Sequence, residues 1–364
     1  MRIYDDRSQT EGTSVEEMVA ACLEGRMLTD AEVLALLRVE DAEQLDMLFS
    51  GARTMRRARF GDKVFLYGFV YFSTWCRNAC SFCYYRSSND EPPRYRRSAG
   101  EVVDAATRLA ESGVDLIDLT MGEDPRYLDD PAALPALVSA VHEATGRAIM
   151  VSPGVVDFPM LARLAAAGAD WYALYQESFD ANLFAWLRCN QSFQTRLEAK
   201  EAARRAGLLV EEGLLTGFGE SVESVARSVC ALRGVPAHQV RAMTFVPQAG
   251  TPLSHVRPPD SLLELKALAV MRLRYPDRLI PASLDVDGLD GLAARLNAGA
   301  NVVTSIIPPH TGLAGVAHAH ADIENGARTV AGIRGTLEAC GLVHASPEAY
   351  RDWVDAMRRE GASA

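Results

Sequence analysis

VFLYGFVYFSTWCRNACSFCYYR, Val64 to Arg86, joins two signals end to end. Its first nine residues are a β-rich apolar run of the kind that forms a strand covered on both faces. Directly after them come Cys76, Cys80 and Cys83, spaced C-x3-C-x2-C. Three thiols are an incomplete set for a structural zinc, which takes four protein ligands and usually shows two close pairs. The chain has no second CxxC pair. Cys22, Cys189, Cys230 and Cys340 are scattered through helical context and read as packing or surface residues. Bacterial ferredoxin spacing differs as well and brings a fourth cysteine.

Outward from this stretch, short β-rich runs alternate with longer amphipathic ones. LIDLTMG from Leu116, AIMVSPG from Ala148, WYALYQE from Trp171, LLVEEGLLTG from Leu208, VRAMTFV from Val240, LIPASLDV from Leu279 and VVTSII from Val302 complete eight strand candidates. Helical segments such as Glu101–Glu111 and Met160–Ala167 separate most of them, and a shorter one around Leu289–Leu296 separates the last two. The alternation predicts a single α/β (βα)8 TIM barrel over residues 61–309. Residues 1–60 read as helices packed on it. Helices are expected to start at Thr13-Ser14 and at Thr29-Asp30, and a third to run from Ala42 to Met55. The basic stretch Arg56-Arg57-Ala58-Arg59 reads as its solvated end. Residues 310–364 are expected to add one or two outer helices, the whole forming one globular unit.

With 364 residues, 48% of them hydrophobic, the chain can bury a core of that size. A formal net charge of -11 argues against a nucleic-acid partner. No apolar run is long enough to span a bilayer, and MRIYDDRSQTEG has no apolar signal core. A cytoplasmic, reducing setting is expected, where clustered thiols bind metal rather than pair. His318 and His320, in AHAHAD, read as exposed residues at the start of a late helix rather than as a metal pair.

In such barrels chemistry sits at the carboxyl ends of the strands. There the sequence sets Ser73 to Cys76, Asp118 to Glu123, Ser152, Gln176 with Glu177, Thr216, Arg241, Thr244, Ser283, Asp285, Thr304 and Ser305. A polar ring in an otherwise aliphatic barrel is costly unless satisfied, so a polar, charged ligand is expected.

With Phe82 between the last two cysteines, the stretch reads C-x3-C-x-Phe-C after a first strand, and it resembles the signature of radical S-adenosylmethionine enzymes. The resemblance implies a [4Fe-4S] cluster on Cys76, Cys80 and Cys83, with one iron open to the amino and carboxylate groups of S-adenosyl-L-methionine. Met121-Gly122-Glu123 resembles the family's GGE segment, with methionine in place of the first glycine; a plain tight turn into Asp124-Pro125 is the alternative. Phe82, Glu123, Ser152, Glu177 and Arg188 are the implied cofactor contacts. FVYFSTWCRNACSFCYYR, DLTMGEDPRY, LYQESFDANL with LRCNQSF, RAMTFVPQAGTPL and RLIPASLDVDGLDG are similar to the biotin synthase-like branch and, within it, to the 3-methylornithine synthase family. That family rearranges L-lysine to (3R)-3-methyl-D-ornithine, the first step of pyrrolysine biosynthesis, by a 5'-deoxyadenosyl radical and fragmentation and recombination of the carbon skeleton. The resemblance implies substrate contacts at Asp118, Arg241, Ser283 and Asp285, and a reductant such as flavodoxin or ferredoxin. A related mutase on another amino acid, a hydrogenase-maturase-like enzyme and a biotin synthase-like enzyme are the alternatives. Sulfur insertion needs cysteines on inner strand positions, and no strand candidate carries one. An iron–sulfur carrier or sensor gives no reason for the polar ring.

Overall fold

The computed structural model describes residues 13–257, 260–316 and 320–363. Met1 to Gly12, read above for a signal core, and His318 lie outside the described residues. Among the described residues three helices come first, α1 (Val15–Leu23), α2 (Asp30–Leu37) and α3 (Ala42–Phe60). Ser14 with Glu17 and Thr29 with Glu32 form capping boxes, which satisfy the free N–H groups that open α1 and α2. α3 runs on past Met55 to Phe60, and this corrects the reading of the basic stretch. Arg57 and Arg59 are exposed, but Arg56 is buried. Its Nη1 donates to the carbonyls of Leu296 (2.5 Å) and Ala300 (3.3 Å), at and just past the end of the helix Leu292–Asn297.

All eight expected strands form: β1 (Lys63–Ser73), β2 (Leu116–Met121), β3 (Ala148–Ser152), β4 (Trp171–Ala173), β5 (Leu209–Thr216), β6 (Gln239–Thr244), β7 (Pro281–Ser283) and β8 (Val302–Ile306). They are parallel, in the order 6-5-4-3-2-1-8-7. One isolated bridge, Gln239 to Leu279, joins β6 to β7, so the barrel is nearly closed. Carboxylates just ahead of β2 and β4 tie those strands to their neighbours. Asp115 accepts from the Leu66 N–H (2.7 Å) and Asp170 from the Ile149 N–H (2.8 Å).

The chain beyond β8 departs from expectation. Among the described residues it forms three helices, His320–Glu324, Val330–Ala339 and Pro347–Ser363, and a short strand β9 (Val343–His344) that pairs with the start of β1. The last helix stops the barrel's amino-terminal end. Tyr350 and Val354 are buried among Phe65, Tyr67, Leu116, Leu209 and Val302. Trp353 stacks on Trp171, ring centroids 5.8 Å apart. With that end filled by apolar side chains, an open site is left to the opposite end.

Candidate functional site

Side chains alternate across a strand, so every second residue of each strand points into the barrel. That rule selects the lining of a cavity of about 220 Å³ at the carboxyl ends: Phe69 and Tyr71, Asp118 and Thr120, Ser152, Ala173 and Tyr175, Gly213 and Leu215, Arg241 and Met243, and Thr304. The cysteine loop closes one side with Cys76, Cys80, Phe82, Cys83, Tyr84 and Tyr85. Glu123, Glu177, Arg188, Asp285 and Ser305 complete the rim.

The cysteine wall is held by backbone. Gly122 N–H donates to Ser73 O (2.9 Å), and Arg77 N–H donates to Glu123 O (3.1 Å). A Cβ on Gly122 would lie 2.2 Å from the Trp75 carbonyl oxygen, so only glycine allows this approach. Met121-Gly122-Glu123 is thus both a turn, capped by Asp124, and a contact with the cysteine loop. The Glu123 carboxylate accepts from Arg77 Nε (3.1 Å) and from the Val155 N–H (3.3 Å). Glu177, at φ 65°, pairs directly with Arg188, whose guanidinium lies 5.5 Å from the Phe82 ring centroid. A non-glycine residue in that backbone region costs of order 1–3 kcal/mol and is held there by its surroundings.

The three sulfurs sit among donors. Asn78 N–H reaches Cys76 Sγ (3.4 Å), Gln191 Nε2 reaches Cys80 Sγ (3.0 Å), and Arg188 Nη1 lies 3.8 Å from the same atom. Burial, then the neighbouring Cys80 and Cys76 thiols, push the Cys83 thiol up to about 12. Burial likewise raises Cys76. Ionising three thiols on one short loop needs positive charge beside them, and that is what a cluster of iron ions would bring. Donors aimed at cysteine sulfur suit the same group. Among the described residues no three Cys, His, Asp or Glu side chains close on one point as a single ion would need.

The opposite wall carries the charges. Arg241 Nε donates to Glu211 (2.6 Å), Tyr175 OH donates to the other Glu211 oxygen (2.9 Å), and Gln239 Nε2 donates to the first (2.7 Å). Asp118 accepts from Thr120 Oγ1 (2.9 Å). Burial, then the charge of Glu211, raise Asp118 to about 7. Asp285 pairs with Arg328, which is fully buried, and accepts from Ser305 Oγ (2.7 Å). Arg328 also donates to Asp322 (2.6 Å).

Not every residue of the expected ring faces the cavity. Ser283 lies beneath it, where its Oγ accepts from the Asp285 N–H (3.2 Å) and sits 3.4 Å from Ser305 Oγ. Gln176 points outward, to Lys200 Nζ (2.9 Å) in the buried Lys200–Glu212 pair. Thr216 bonds back to the Met243 carbonyl (3.3 Å). Sequence reading missed Glu211, Gln191, Tyr175 and Arg328. Glu211-Glu212 was a usable signal, since adjacent acids in a buried strand must face opposite sides.

Residues 70–229 match the Radical SAM superfamily. The chain is 46% identical over 323 residues to 3-methylornithine synthase of Methanosarcina barkeri, covering 88% of this chain and 91% of that one. It is 30% identical over 284 residues to the [FeFe] hydrogenase maturase subunit HydE of Thermotoga maritima, covering 77% of this chain and 81% of that one. Among solved structures, methylornithine synthase (PylB) superposes with a TM-score of 0.88 at 44% identity, over 92% of this chain and 99% of that one.

Proposed function

The chain belongs to the 3-methylornithine synthase family of radical S-adenosylmethionine enzymes, and from that premise we propose that it converts L-lysine to (3R)-3-methyl-D-ornithine. One observation carries the choice of substrate. The wall facing the cysteines presents one guanidinium, Arg241, and two carboxylates, Asp118 and Asp285. Lysine offers the complement, one carboxylate and two ammonium groups.

Cys76, Cys80 and Cys83 would hold the [4Fe-4S] cluster, which with S-adenosylmethionine would supply radical hydrogen-transfer chemistry at the substrate. The protein positions and confines. Glu211 occupies Arg241 Nε and so turns the outer edge of the guanidinium toward the substrate carboxylate. Asp118 pairs with one ammonium group. Asp285, fixed by Arg328 and Ser305, keeps spare lone pairs for the other. Ser283 acts through Asp285, whose backbone it holds. Glu123, Ser152, Glu177, Arg188 and Phe82, which line the cavity on the cysteine side, would hold the cofactor. Charges at both ends keep the two fragments of a broken skeleton in register until they rejoin. A one-electron donor such as flavodoxin or ferredoxin reduces the cluster, and the cytoplasm supplies the reducing setting. Among the described residues no helix is long and apolar enough to cross a membrane.

Anoxic incubation of reconstituted protein with S-adenosylmethionine, a reductant and L-lysine should yield methylornithine by mass spectrometry. Active cofactor cleavage without methylornithine would overturn lysine as the substrate. A pH dependence follows from Asp118, which faces Glu211, Arg241 and Asp285 and binds an ammonium group only when ionised. Below about pH 7 it is increasingly protonated, so kcat/KM should fall about tenfold per pH unit there and level off above. Asp118→Asn should flatten that acidic limb; an unchanged limb would assign it to another group.

A further inference from the structure

We propose that Gln191, oriented by Arg196, donates a hydrogen bond to the Cys80 sulfur and thereby raises the reduction potential of the cluster. Neither residue belongs to the cysteine motif. Gln191 Nε2 lies 3.0 Å from Cys80 Sγ, and its Oε1 lies 3.0 Å from Arg196 Nη1. The second contact decides which way the amide points. A guanidinium only donates, so the amide oxygen must face Arg196 and the NH2 must face the sulfur.

Arg196 cannot swing away. It is buried, and its Nε and Nη2 both donate to the Tyr175 carbonyl (3.2 and 2.6 Å). The Gln191 backbone is fixed too, since its N–H bonds Arg188 O (3.1 Å) and Ser192 caps the helix Phe193–Arg205 that carries Arg196. Arg188 is the other donor near Cys80; its Nη1 lies at 3.8 Å, while its Nη2 pairs with Glu177. Gln191 therefore makes the shorter bond to this sulfur. Reduction adds negative charge to the cluster and its thiolates. A fixed donor favours that state, which is why hydrogen bonds to the sulfurs set the potentials of such clusters.

The inference rests on the cluster being held at Cys76, Cys80 and Cys83. Reconstituted wild type and Gln191→Leu are titrated potentiometrically, with the reduced cluster followed by electron paramagnetic resonance. The variant is expected to be harder to reduce, by about tenfold in the equilibrium constant or about 59 mV for one electron. An unchanged potential overturns the proposal. Should Gln191→Leu not hold its cluster, the wild type decides alone. Its reduced cluster, in protein with 15N in the glutamine side chains, should show hyperfine coupling to an amide nitrogen in pulsed spectra, and absence of coupling overturns the proposal. Wild type that assembles no cluster overturns the reading of the cysteines, and this proposal with it.

Discussion

Cys80→Ala is expected to lose cluster iron and to lower S-adenosylmethionine cleavage by at least about a thousandfold, the scale of loss when one member of a cooperating unit is removed. The reconstituted wild type should carry about four irons and four sulfides per chain, as one [4Fe-4S] cluster requires. The loss should not come from unfolding. The loop is held by contacts that do not involve the Cys80 side chain. Arg94 donates to the carbonyls of Thr74, Tyr85, Arg86 and Asn89, and Ser81 N–H donates to Leu187 O (2.8 Å). A buried cysteine replaced by alanine costs about 1 kcal/mol, a typical single-substitution effect. Circular dichroism should therefore match wild type while iron and cleavage are lost. Because the three thiols act as a unit, Cys80→Ala/Cys83→Ala should be no worse than either single change. Full cleavage by Cys80→Ala would remove the basis for radical chemistry in this chain.

The parts of this molecule legible in the sequence are those in which local pattern and final environment agree. The β1 run and its cysteines are contiguous, so their joint placement needs no tertiary knowledge. The eight strands announce themselves because covered parallel strands are apolar throughout. What sequence alone did not show depends on distant partners. Arg328 reaches Asp285 from a segment beyond the barrel, and nothing near either residue signals the pairing. Arg56 looks like any other member of a basic helix end until the carbonyls of Leu296 and Ala300 arrive to claim it. Gln176 and Ser283 stand at the right strand ends, yet face out of the barrel or beneath its cavity. Residue type and strand end are readable at once, while facing needs the register of the strand. With Ala173 and Tyr175 turned inward, alternation turns Gln176 outward, which listing polar residues by strand end alone overlooks.

Arg241→Met should abolish methylornithine formation while leaving cluster assembly intact, because no cysteine-side contact involves Arg241. Losing the carboxylate contact is expected to cost about 2–5 kcal/mol in substrate binding, as for a truncated buried charge pair. The same change also strands Glu211, a fully buried carboxylate, at about 3–5 kcal/mol of folding free energy in anoxic denaturant unfolding. It further affects Asp118, whose ionisation Arg241 favours and Glu211 opposes. A single variant thus confounds substrate contact, stability and the charge on Asp118. Adding Glu211→Gln separates them. The double variant leaves no uncompensated charge at the barrel floor, and the new amide can accept from Gln239 with its oxygen and donate to the Tyr175 hydroxyl oxygen with its NH2. Most of the stability should return, and Asp118 should regain its readiness to ionise, since the charge that opposed it is gone along with the one that favoured it. Turnover should stay lost, because neither the introduced thioether nor the introduced amide carries the positive charge that holds a carboxylate. If turnover returned with stability, Arg241 would be a structural counter-ion for Glu211, and the substrate carboxylate would have to be bound elsewhere on the wall.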